Sequence, residues 1–165
     1  MRVRLSPTEQ AIAKYLARMR EKLSREGGLV DRKRDPHRDG MAIDLDGAGA
    51  ELAAAKVLNV CPLLNVARGP DRGFDLSKNG ACIQVKHTRY PNGQLLVRDR
   101  DRGADLYLLV TGEFPDYDVV GYADSSIFSS DNLANPGGYG PCYMLPQSSL
   151  KPVAIEHEMR LPGVL

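Results

Sequence analysis

The chain has 165 residues, 42 % hydrophobic and 26 % charged, a balance expected of an ordinary globular domain with one core. A net charge of +1 excludes a generally basic nucleic-acid coat but not a local basic surface, because the field in a cleft follows distribution and not the total. No apolar run approaches the roughly 20 residues needed to span a bilayer, so no membrane partner is expected. Met1-Arg2-Val3-Arg4-Leu5 does not read as a signal peptide. Three dispersed cysteines, Cys61, Cys82 and Cys142, form neither a CxxC pair nor a zinc pattern. They suggest a reducing, cytoplasmic setting, with all three thiols packed in the interior.

The first helix is signalled by Ser6 as N-cap, Pro7 at the first helical position and Glu9 completing a capping box. Ile12, Tyr15, Leu16, Met19 and Leu23 recur at helical spacing as an apolar face, and Gly27-Gly28 stops the helix. Its other face carries Lys14, Arg18, Lys22 and Arg25, either as solvated surface or as a nucleic-acid contact. Val30 to Asp46 reads as irregular, with turns at Asp35-Pro36 and Asp39-Gly40. An alanine-rich second helix is expected from about Asp46, its N-cap, to Asn59, ended by Cys61-Pro62.

Strands follow. Leu63–Ala67 and Gly73–Ser77 are short runs, and Lys78-Asn79-Gly80 reads as a hairpin turn. Along Ala81–Thr88, Ala81, Ile83 and Val85 point one way while Cys82, Gln84 and Lys86 point the other. Pro91-Asn92-Gly93 is a turn, Leu95–Val97 a short strand, and Ala104–Thr111 the best candidate for a central buried strand. Val119–Ala123 pairs beside it, Ser125–Asn132 reads as a short helix, and the Pro- and Gly-rich tail from Asn135 packs back on the sheet. The chain thus divides into residues 1–45, an N-terminal helix and loop; 46–123, a core; and 124–165, a loop-rich extension.

The chemistry gathers on the hairpin. Asp75 lies on its first strand; Gln84 and Lys86 leave the same face of the second, so a carboxylate, an amide oxygen and an ammonium converge. The simpler reading is a surface hairpin with an Asp75–Lys86 salt bridge. Glu51 falls in the middle of the second helix's apolar face, among Gly47, Ala48, Ala54, Ala55 and Leu58. A carboxylate there needs a counter-charge: a metal ion, Lys86, or an arginine at the domain edge.

Asp75 followed by Gln84-Val85-Lys86, with Glu51 on the preceding helix, resembles the PD-(D/E)XK nuclease superfamily. The likeness runs from about Asp46 to Ala123. The Gly-Phe-Asp-Leu and Gln-Val-Lys pieces are similar to its restriction-type and Holliday-junction-resolvase-like branches, and the N-terminal helical arm to phage-borne members. Phe74 stands where the family name has Pro, and Gln84 where the motif has Asp or Glu.

The resemblance implies an α/β (α+β) restriction-endonuclease-like core: a central mixed sheet flanked by helices, with an N-terminal helical arm. It implies a Mg²⁺-dependent endonuclease acting on DNA, with Mn²⁺ able to substitute. Asp75, Gln84, Lys86 and Glu51 are the expected catalytic set. Asp75, the Gln84 side-chain oxygen, the Val85 carbonyl and Glu51 would hold metal, and a hard cation accepts an amide oxygen. Lys86 would orient water and stabilise charge on the phosphate.

Thr88, Tyr90 and Arg98 are candidate substrate contacts. Asp71 is an alternative to Asp75, and Tyr90 and Tyr107 either stack on bases or fill the core. His87 faces away from Lys86, His37 and His157 have no partners at ligand spacing, and Asp44 reads as solvated. Two-strand cleavage would call for a homodimer. The competing reading is a nuclease-fold module with an impaired site that binds DNA or a protein without cutting. The absence of a Gly-x-Ser-x-Gly elbow, a His-Glu-x-x-His motif and a P-loop argues against other hydrolase classes.

Overall fold

A computed structural model describes residues 1–26, 39–64, 66, 74–136 and 140–153. The Gly27-Gly28 stop, Asp35-Pro36, His37, Ala67, Asp71, Gly73 and His157 lie outside them. Two helices and a mixed five-stranded sheet make an α+β architecture. In chain order the elements are β1 (Arg2–Arg4), α1 (Pro7–Glu26), α2 (Gly40–Leu58), β2 (Leu76–Lys78), β3 (Ala81–Thr88) and β4 (Leu95–Val97). There follow β5 (Leu106–Glu113), β6 (Asp116–Asp124), β7 (Leu133–Ala134) and β8 (Cys142–Leu145). The main sheet runs β1-β6-β5-β3-β2; β4, β8 and β7 form a second, small sheet.

Each helix starts where its capping chemistry lies. The capping box of α1 is made on both sides: Ser6 N–H donates to Glu9 Oε2 (2.5 Å) and Glu9 N–H to Ser6 Oγ (3.3 Å). Ala13, Leu16 and Ala17 form the buried stripe of α1, so Tyr15, expected on the apolar face, is instead exposed. Helix α2 begins at Gly40 rather than Asp46, because Asp39 supplies the N-cap and accepts from Met41 N–H. Asp46 is therefore interior and buried; its carboxylate accepts from Phe114 N–H (3.0 Å) and its carbonyl from the Tyr117 hydroxyl (3.1 Å). Asn59, left-handed at φ 52°, closes the helix. Helix α2 thus crosses the expected boundary at residues 45 and 46.

Small residues let α2 lie close on the sheet. Ala48, Gly49, Ala50, Ala53, Ala54 and Ala55 are all buried, in a cluster with Ile83, Val85, Leu108, Val110, Tyr117 and Val119. Both helices contribute to this one face. The opposite face, with Tyr107, Leu109 and Ala123, is covered by Leu95, Val97 and Ile127 from β4 and a 3₁₀ turn (Ser125–Phe128). Among the described residues the α-helices thus cover one side of the sheet, and β8 of the C-terminal extension pairs with β4 of the expected core.

The hairpin turn matches its sequence: Asn79 and Gly80 both take positive φ (52° and 81°), the pairing that suits the twist of the flanking strands. β3 then pairs in parallel with β5, the buried central strand, and β5 antiparallel with β6. The crossover from β3 to β5 passes through β4 and the turn Asp99–Asp101, with no helix. Leu63 and Leu64 are exposed and outside any strand, contrary to expectation, and Ser125–Asn132 is two 3₁₀ turns. Among the thiols only Cys142 is buried; Cys61 is exposed and Cys82 half-buried. No helix among the described residues is long and apolar enough to cross a membrane.

Two glycines of α2 make opposite predictions. A Cβ at Gly47 meets nothing within 4 Å, so Gly47→Ala should stabilise by about 0.5–1 kcal/mol through helix propensity. A Cβ at Gly49 would lie 2.1 Å from the Tyr117 hydroxyl oxygen, on a buried ring tied to Asp46. Overpacking should outweigh propensity there, and Gly49→Ala should lose about 1–3 kcal/mol in urea unfolding. A stabilised Gly49→Ala would contradict this packing.

Candidate functional site

The hairpin brings Asp75 and Gln84 together because Leu76 pairs with Ile83, which sets their neighbours opposite one another. Asp75 lies one residue before β2, and its N–H bonds to the Ile83 carbonyl (2.8 Å), continuing the ladder. Its Oδ2 accepts from Gln84 Nε2 and from Val85 N–H, both at 2.7 Å. These bonds leave Asp75 Oδ1 and Gln84 Oε1 without a hydrogen bond. No partnerless side-chain polar atom is fully buried among the described residues. With the Gln84 amide turned to present its oxygen, the pair makes a donor set suited to a hard cation such as Mg²⁺.

Glu51 is the second acid. It comes from α2 and is only 17 % exposed, held by two bonds from Arg20 of α1: Nη1 to Oε1 at 2.9 Å and Nη2 to Oε2 at 2.7 Å. Of the partners open to Glu51 from the sequence, the arginine is the one in place. This fork fixes the carboxylate but does not neutralise the site. Burial, and then the Glu51 charge, push the Asp75 carboxyl up from an ordinary 3.8 to about 6. The Val85 N–H, Lys86 and Arg20 oppose that rise without cancelling it. Arg20 also feels Asp44, which is half-buried and not simply solvated.

Lys86 shares the face of Gln84, but its direct partner is not Asp75. Its ammonium bonds to Asp101 Oδ2 at 2.8 Å, with both side chains roughly one-quarter exposed. The hairpin salt bridge expected on the simpler reading is thus absent, and Lys86 acts on Asp75 through its field alone. Asp101 and Arg20 are the two members that the sequence did not assign to the site. Asp101 lay hidden in the alternating stretch Arg98 to Arg102, where it reads as charge neutralisation. No three His, Cys, Asp or Glu residues among those described stand together as a ready-made metal cluster.

The remaining candidates are scattered in role. Thr88 ends β3, and its hydroxyl accepts from Tyr90 N–H (3.4 Å). Tyr90 is exposed, with the Arg89 guanidinium 5.1 Å from its ring centre. Arg98 contributes its backbone N–H to Asp101 Oδ2 (3.3 Å). Tyr107 is fully buried, and its hydroxyl donates to the Asp101 carbonyl (3.2 Å), which makes it a core residue and not a stacking surface. His87 faces the helix side, 2.8 Å from the Gly112 carbonyl and edge-on to Tyr117.

The raised Asp75 carboxyl sets a pH dependence. Between about pH 4 and 6 the folded protein holds a proton there that the unfolded chain releases, so Asp75 makes stability fall as pH rises through that window. The loss persists above it, on the order of 2–3 kcal/mol. In EDTA at pH 7.5, Asp75→Asn, which keeps an acceptor for Gln84 and Val85, should therefore unfold at higher urea than the native chain. The gap should close near pH 4. A variant less stable at pH 7.5 would contradict these electrostatics.

Comparison with protein-family models, curated proteins and solved structures gives no match, so the reading of this site rests on its own residues.

Proposed function

We propose that the chain is a divalent-metal-dependent phosphodiesterase cutting DNA, a PD-(D/E)XK-type endonuclease with glutamine at the second acidic position. The observation that carries this reading is the pair Asp75 and Glu51. Burial, and then the Glu51 charge, hold the Asp75 carboxyl above its ordinary value, beside the Gln84 amide and within the field of Lys86. A site with that excess of negative charge favours a cation.

Asp75 and Gln84 would hold Mg²⁺ through side-chain oxygens, with the Val85 carbonyl as a further donor. Glu51 adds negative field while Arg20 fixes its orientation. When bound, the ion supplies charge for the scissile phosphate and acidity for the attacking water. Lys86 then places an ammonium where negative charge grows on the phosphate. Thr88, Arg89 and Tyr90, at the end of the same strand, offer a hydroxyl, a cation and an exposed ring to the nucleic acid. The phage-borne and dimeric character suggested by the resemblance belongs to this same proposal.

Two features favour a second reading, a DNA- or protein-binding module that does not cut. Glu51 is already paired with Arg20, and Lys86 with Asp101. The assay that separates the readings is cleavage of plasmid, junction and single-stranded DNA in Mg²⁺ or Mn²⁺. The nuclease reading predicts cutting that EDTA abolishes. Asp75→Asn and Lys86→Ala should each lose at least about a hundredfold in rate while remaining folded. Salt-sensitive binding with no cutting under any of these ions would replace it by the binding module.

A further inference from the structure

Lys86 has two acids within its reach, and the fold has chosen one of them. Asp101 takes the ammonium directly, at 2.8 Å, while Asp75 feels it only through the field. Asp101 is itself firmly held. Its Oδ2 accepts from Arg98 N–H (3.3 Å), its carbonyl receives the hydroxyl of the fully buried Tyr107 (3.2 Å), and Arg100 Nε lies 3.8 Å from Oδ1. The segment carrying it is stapled to β3 a second time, where Cys82 N–H donates to Asp105 Oδ2 (2.7 Å) and Asp105 N–H to the Cys82 carbonyl (2.9 Å). These bonds fasten the crossover to β3 at both Asp101 and Asp105.

We propose that Asp101 is a positioning residue: it holds the Lys86 ammonium off Asp75, so that the Asp75 and Gln84 oxygens stay open to a cation. A lysine stem has four rotatable carbons and a mobile charge. Without the Asp101 charge, Asp75, which already feels the ammonium and lies opposite Gln84 on the same hairpin, is left to draw it. An ammonium on Asp75 would compete with a divalent ion for the same carboxylate. Asp101 thus keeps one positive charge beside the site without letting it fill the site. This role rests on the divalent-ion reading above, which it deepens.

The test uses Asp101→Asn, whose amide oxygen can still accept from Arg98 N–H and so spare the turn; unchanged thermal unfolding would check this. In the metal-free protein, the Lys86 ammonium should give a slowly exchanging ¹⁵Nζ signal whose chemical shift moves in Asp101→Asn and moves again in Asp75→Asn/Asp101→Asn. An Asp101→Asn signal indifferent to Asp75 would overturn the proposal. Mn²⁺ binding, followed by the paramagnetic resonance of the free ion, should be roughly tenfold weaker in Asp101→Asn than in the native chain. It should recover in Asp101→Asn/Lys86→Met. Native-like affinity in Asp101→Asn would overturn the role of Asp101 alone. No Mn²⁺ binding by the native chain would overturn the divalent-ion reading and this role together.

Discussion

The site depends on a carboxylate that the fold holds against its electrostatic preference. Asp75 is fixed at the mouth of a hairpin by the Val85 N–H and the Gln84 amide, with the Glu51 charge close behind it. Burial and like charge both disfavour its ionised form. Such an arrangement costs stability and is kept only because the surrounding structure over-determines it. On the reading proposed above, a divalent cation would offset this cost, and a ligand bound only by the folded state adds stability in return.

Three elements far apart in the chain hold this arrangement. Helix α2, made thin by alanine and glycine, lies close enough on the sheet to carry Glu51 to its edge. Helix α1 lies on α2 and reaches over with Arg20, whose two parallel bonds orient Glu51 as no lysine could. The crossover between β3 and β5 supplies Asp101 from the other side and takes up Lys86. Arg20 and Lys86 are thus each paired with an acid other than Asp75. Asp75 is left with the Val85 N–H and the fields of Lys86 and Arg20, which do not cancel its burial and the Glu51 charge.

Much of this was legible in the residues. The Ser6–Glu9 box, the Asn79-Gly80 turn and the alternation along β3 are local signals, and local physics decides them. The same signals bring Asp75 near Gln84 and Lys86; that it meets Gln84 and not the Lys86 ammonium is seen only in the fold. Signals that require a partner were harder to read. Asp46 looks like an N-cap until Asp39, seven residues earlier, is seen to do the work and Phe114 and Tyr117 are seen to need a buried acceptor. β1 is a three-residue strand with no signal of its own; its ladder to β6 and the burial of Leu5 just beyond it hold it in place, with an exposed Arg4–Asp116 pair adding little. Leu63 and Leu64 are apolar enough for a strand, but no neighbouring edge takes them. Asp101 was obscured because acids alternating with arginines read as charge neutralisation, and only the crossover path shows that one of those acids turns to Lys86.

The central claim is that the oxygens of Asp75 and Gln84 bind a divalent ion. Crystals soaked in Mn²⁺ and measured near the manganese absorption edge test it most directly. The account predicts an anomalous peak within bonding distance of both side chains, with the Gln84 amide oxygen turned to the ion. A map flat at that position, with the Gln84 amide still donating to Asp75, would contradict it.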